Sequence, residues 1–267
     1  MKRKVKTKVK GFRTTDGAGV KLVRVLGNLT TKEFDPILML DSFDSINPDD
    51  YTAGFPMHPH RGIETISYVS RGKMVHRDSL GNEAGISDGE VQWMNSGSGI
   101  MHEEMVPAAE RLLGVQLWLN LPAKDKMSKP SYNSIKNEDI KEIEIEGGKI
   151  RLLAGKYGEH EGYKGDYLSM DYYDIHLNAD AEVTLTMEED DSVMVFTLLG
   201  DVYIDGEHIE EKTAVKLTEG DSLTIKNGNE KAQVLYMNSR ALNEPGCMGR
   251  SDCNEYAGRA SKGVFRT

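Results

Sequence analysis

The sequence predicts an all-β protein built from two small barrels, with few short helices. Three observations carry this. Short strand-like runs recur between glycine-containing turns every 8–12 residues. A segment of the first half recurs in the second half. Two pairs of metal-ligand residues, His58-Pro59-His60 and His102-Glu103-Glu104, stand some forty residues apart within such runs.

Taken in order, Lys2 to Lys10 alternates Val5, Thr7 and Val9 with Lys4, Lys6, Lys8 and Lys10. This reads as an edge strand with lysines on its solvent face, which protects the edge from pairing with other chains. Val20 to Leu26 and Ile37 to Phe43 are buried strands, separated from the first ligand pair by the polar loop Asn47-Pro48-Asp49-Asp50. Ile63 to Val69 is rich in β-branched and aromatic residues, and Arg71-Gly72-Lys73 and Leu80-Gly81-Asn82 are hairpin signals. Leu112 to Leu121 is mostly apolar and fits a strand buried on both faces.

Lys124 to Asn133 is a polar connector, which sets the expected domains as 1–133 and 134–245. Beyond it, Phe196 to Tyr203 resembles Tyr68 to Val75, and Glu219-Gly220-Asp221-Ser222 resembles Asp88-Gly89-Glu90-Val91. Counting from these turns maps His58, His60 and His102 onto Thr186, Glu188 and Gln233. A second metal site is therefore not expected.

In an extended strand, residues i and i+2 point to one face, so each ligand pair can aim both groups at one point. Two facing strands then bring three imidazoles and a carboxylate together. Neutral imidazole with carboxylate suits a divalent transition metal held octahedrally with open positions. The carboxylate is Glu104, or Glu64, which on parity shares a face with His58 and His60. Phe55, Met57, Trp93, Met101 and Leu117 are the candidate walls of an apolar substrate pocket.

Composition limits the function. At 267 residues, 38% hydrophobic and 28% charged, the chain is expected to be a globular, cytoplasmic protein with no apolar run long enough for a bilayer. A net charge of −10 argues against direct nucleic-acid binding. The two cysteines, Cys247 and Cys253, are too few for a closed structural metal site.

His58-Pro59-His60-Arg61-Gly62-Ile63-Glu64-Thr65, His76-Arg77-Asp78-Ser79-Leu80-Gly81-Asn82, Gln92-Trp93-Met94 and Gly97-Ser98-Gly99-Ile100-Met101-His102 resemble the pirin family of the cupin superfamily. The resemblance implies a bicupin, with iron(II) held by His58, His60, His102 and Glu104. Manganese, cobalt, nickel, copper or zinc would suit the same donors. It implies a quercetin 2,3-dioxygenase, with a flavonol and dioxygen as substrates and Glu104 as proton acceptor. The alternative is a metal-dependent protein that binds transcription regulators or metabolic enzymes.

After the family-like Leu242-Asn243-Glu244-Pro245 the tail departs from the pattern. Read one base forward, codons for Asp252 to Ala257 can give Ile-Val-Met-Asn-Thr, the usual ending, so residues 246–267 are read as a frameshifted tail. The coding DNA tests this directly.

Overall fold

Almost every element among the described residues is a strand, some with alternating burial and the central ones buried on both faces. A computed structural model describes residues 1–244, so the tail reading lies outside the described residues. The first half holds β1 (Val5–Lys10), β2 (Phe12–Asp16), β3 (Val20–Leu26), β4 (Ile37–Ser45), β5 (Phe55–His60) and β6 (Ile63–Arg71). It continues with β7 (Lys73–Asp78), β8 (Glu83–Ser87), β9 (Glu90–Asn95), β10 (Ile100–Met105), β11 (Leu112–Asn120) and β12 (Ser131–Ile135). The second half holds β13 (Lys141–Ile145), β14 (Gly148–Ala154), a small hairpin of β15 (Lys156–Tyr157) and β16 (His160–Glu161), β17 (Met170–Leu177) and β18 (Glu182–Thr186). It ends with β19 (Ser192–Leu199), β20 (Val202–Ile204), β21 (Glu207–Ile209), β22 (Thr213–Leu217), β23 (Ser222–Asn227) and β24 (Ala232–Ser239). Pro48–Asp50 and Ala123–Asp125 are single 3-10 turns.

Each barrel pairs a seven-stranded sheet with a four-stranded one. The first uses β12-β9-β6-β11-β4-β3-β2 and β5-β10-β7-β8; the second uses β1-β22-β19-β24-β17-β14-β13 and β18-β23-β20-β21. The strand orders superimpose, with one exchange: β1 occupies in the second barrel the edge that β12 occupies in the first. The expected limits of 1–133 and 134–245 thus differ from the sheets in two ways. The first strand of the chain belongs to the second barrel, and position 133 falls inside β12. β1 pairs with β22, and Lys4, Lys8 and Lys10 meet Asp205, Glu207 and Glu210 of the second barrel while Lys6 meets Glu33 of the first. We place the division between Ile135 and Lys141.

The two large sheets pack face to face. Ile66, Tyr68, Trp93 and Leu117 of the first meet Tyr172, Phe196 and Leu235 of the second in one apolar core. β11 is buried on both sides, as its apolar run predicts, with one side on this core and the other on the first barrel's interior.

Candidate metal centre

β5 and β10 pair antiparallel, with His102 opposite His58. Alternation turns His58, His60, His102 and Glu104 inward and leaves Met57 and Met101 exposed on the outer face. One ring nitrogen from each of the three histidines falls within 4.8 Å of the others. His58 Nε2 lies 3.0 Å from His60 Nε2 and 3.0 Å from His102 Nε2.

Hydrogen bonding assigns protons on these rings. His58 Nδ1 lies 2.8 Å from the carbonyl oxygen of Pro56, which only accepts, so Nδ1 carries the proton and Nε2 the lone pair. His102 Nδ1 faces His76 Nδ1 at 3.3 Å, and His76 Nε2 lies 2.9 Å from the Asp78 carboxylate. Burial, reinforced by the neighbouring imidazoles, pushes His60 and His102 down to about 3, so both are neutral at physiological pH.

The donor set therefore fits a metal ion. His58 Nε2 turns its lone pair toward both neighbouring nitrogens, and a cation among the three would bind it. Two nitrogens each about 2.1 Å from one ion, at right angles, are about 3.0 Å apart, matching the spacing from His58 to its two neighbours. A right angle is an octahedral angle, consistent with imidazole and carboxylate ligands and open positions.

Glu104 is buried on the same face but outside the ring of three. Gln92 Nε2 donates to its Oε1, Gln116 Nε2 donates to its Oε2 at 2.8 Å, and the Ser67 hydroxyl lies 3.5 Å from Oε1. Glu64 stands elsewhere. Gly62, at a φ of 71°, turns the chain between β5 and β6 and resets the alternation, so the parity shared with His58 and His60 on paper is lost. Ser67, on the odd-numbered face of β6, meets Glu104, while Ile66 and Tyr68 on the even face enter the core between the barrels. Glu64 lies on that even face, where burial, together with the charge of Asp166, pushes it up to about 7 against the pull of Trp93.

The candidate pocket residues disperse as well. Trp93 and Leu117 enter the core between the barrels. Phe55 packs edge-on against Phe43 in the first barrel's own apolar cluster. The aromatics at the imidazoles are Trp118, whose ring centre is 5.1 Å from that of His60, and Tyr132, stacked on His76 at 4.0 Å. Alternation on β11 puts Trp118 at the imidazoles and its neighbour Leu117 on the opposite face. Tyr132 was hidden in the stretch read as a connector. Thr65 Oγ1, on the Ser67 face and opposite Trp118, and Trp118 Nε1 are buried without a hydrogen-bond partner among the described residues.

The second barrel supplies an internal comparison. Gly72 and Gly200 end equivalent strands, and the cross-strand registers then set Leu185, Leu223 and Ile225 at the places of His58, His102 and Glu104. Met187 falls at His60. The donors around Glu104 become Val195, Val215 and Tyr236 in place of Ser67, Gln92 and Gln116. All but the half-buried Met187 are fully enclosed in that barrel's core. Counting along the sequence to Thr186 and Glu188 missed Leu185 and Met187 by one residue, because Leu185 lies fifteen residues before Gly200 and His58 fourteen before Gly72, and Gln233 was reached from a turn that is not equivalent. The turn at Gly220 joins β22 to β23, whereas the one at Gly89 joins β8 to β9.

Residues 19–119 match the family described as Pirin, and residues 172–248 match the Pirin C-terminal cupin domain. A Pseudomonas aeruginosa protein named "Putative quercetin 2,3-dioxygenase" is 39% identical over 245 residues, covering 88% of this chain and 86% of its own. Human Pirin is 33% identical over 253 residues, covering 91% and 84%. The crystal structure of quercetin 2,3-dioxygenase from Acinetobacter baumannii superimposes with a TM-score of 0.87 at 28% identity, over 98% of this chain and 96% of that one.

Proposed function

The chain belongs to the pirin family, and from that premise we propose that it is an iron(II)-dependent dioxygenase that opens the central ring of flavonols such as quercetin. The observation that carries this reading is the convergence of three imidazoles, those of His60 and His102 neutral, beside a buried carboxylate, with aromatic side chains around them. Relatives named for quercetin dioxygenation support it. His58, His60 and His102, with Glu104, would hold the metal. Manganese, cobalt, nickel, copper or zinc satisfies the same donors, but dioxygen chemistry favours iron. Bound there, the ion supplies a redox-active Lewis acid with open positions for a chelating substrate and dioxygen.

The side chains do the rest. Glu104 accepts the flavonol hydroxyl proton, which strengthens the substrate oxygen as a donor. Gln92, Gln116 and Ser67 hold that carboxylate by its two oxygens until it is needed. Trp118 flanks the flat rings, and its free N–H and the Thr65 hydroxyl offer hydrogen bonds to their oxygens. Burial of His60, His102 and Glu104 keeps bulk water from the reacting atoms.

A second reading, a metal-dependent protein that binds other proteins, draws on the exposed methionines 57, 101 and 105 around the ligands. Such flexible apolar side chains suit adaptable surfaces. Elemental analysis of iron-loaded protein followed by oxygen uptake with quercetin separates the two. Uptake that His60→Ala abolishes supports the enzyme; bound iron with no uptake on any flavonol favours the interaction protein.

A further inference from the structure

We propose that Asp78 and His76 are a positioning pair that fixes the tautomer and orientation of His102, leaving its Nε2 lone pair free for a metal. The inference rests on reading the imidazoles as a metal site but not on any substrate. The chain of contacts runs inward from the surface turn. Backbone N–H groups of Leu80 and Asn82 and the Asn82 side-chain amide donate to Asp78. Burial opposes the Asp78 charge, yet these bonds and that from His76 hold its carboxyl below the usual range. A carboxylate only accepts, so His76 donates to Asp78 through Nε2–H, which turns Nδ1 toward His102 as the acceptor that a single-proton ring offers.

His102 Nδ1, 3.3 Å away, is then the donor. With its single proton spent there, His102 presents Nε2 unprotonated toward His58. Both His76 and His102 are fully buried, so no solvent molecule at the surface substitutes for this bond. Tyr132 stacks on His76, with ring centres 4.0 Å apart and planes within 14°, which fixes the ring's rotation. Register adds an independent argument. Ile204 and Gly206 of the second barrel stand where His76 and Asp78 stand, so the pair is absent from the barrel that lacks the three imidazoles.

The test uses cobalt(II) as the metal probe and nitrogen-15 NMR of the metal-free protein, comparing wild type, His76→Phe, His76→Asn and Asp78→Asn. Phenylalanine keeps a ring on Tyr132 but removes the acceptor; asparagine places Oδ1 near the position of Nδ1. Wild-type His102 is expected as the Nδ1–H tautomer. His76→Phe should give a mixture of tautomers and at least tenfold weaker cobalt binding in competition with a chelator. His76→Asn should restore most of the affinity and the single tautomer, which a purely space-filling role would not. Asp78→Asn, the mildest change, should weaken cobalt binding less than His76→Phe and guards against a variant that fails to fold. Unchanged tautomer and affinity in folded His76→Phe or Asp78→Asn would overturn the pairing while leaving the metal site intact. Wild-type protein that binds no cobalt would overturn the metal reading itself and this inference with it.

Discussion

Replacing Glu64 by Gln isolates a carboxyl that was an alternative ligand on paper and that lies between the barrels in the structure. Burial, then the charge of Asp166, raises it from 4.5 to about 7. A raised carboxyl binds its proton more tightly folded than unfolded, so the stability it contributes is complete below pH 4.5. That contribution is lost as pH rises through about 7. The difference between the two values corresponds to about 3 kcal/mol at most. Urea denaturation of wild type and Glu64→Gln at several pH values from 4.5 to 8.5 measures it, with the pair compared at each pH so that other titrations cancel. Wild type should lose up to about 3 kcal/mol relative to the variant across this range, and both should bind cobalt equally. Parallel pH profiles would refute the burial argument. Loss of cobalt from Glu64→Gln would return Glu64 to the ligand set.

Other perturbations test the remaining parts. Glu104→Ala should empty the site of iron by elemental analysis and also destabilise the fold by about 1–3 kcal/mol, because buried donors of Gln92 and Gln116 lose their acceptor. Deleting residues 1–10 should raise hydrogen exchange at 213–217, the strand β1 covers, while leaving 100–105 protected. Leu223→Ala, at the second barrel's counterpart of His102, should cost about 2–5 kcal/mol in denaturant without changing metal content, as expected of a core residue.

What the sequence revealed followed the reach of strand periodicity. His58 with His60, and His102 with Glu104, are two apart on single strands, and the structure turns each pair inward together. Periodicity fails across a turn, so Glu64, beyond Gly62, ends on the opposite side of the sheet. It also cannot say which face of a strand buried on both sides meets the site, so it does not separate Leu117 from Trp118. His76 and Asp78 were visible only as a motif, because their contact with His102 depends on the pairing of β7 with β10. The crossing of β1 to the second barrel has no local signature beyond its lysines. The acidic residues of the second barrel that meet Lys4, Lys8 and Lys10 are some two hundred positions away.

The proposed activity is the insertion of dioxygen into a flavonol. The most direct measurement supplies iron-loaded protein with quercetin under oxygen-18 gas and weighs the product by mass spectrometry. A ring-opened product carrying two labelled oxygen atoms, formed by wild type but not by His60→Ala, is the result predicted here. Quercetin that is left intact, or oxidised without taking up label, would contradict it.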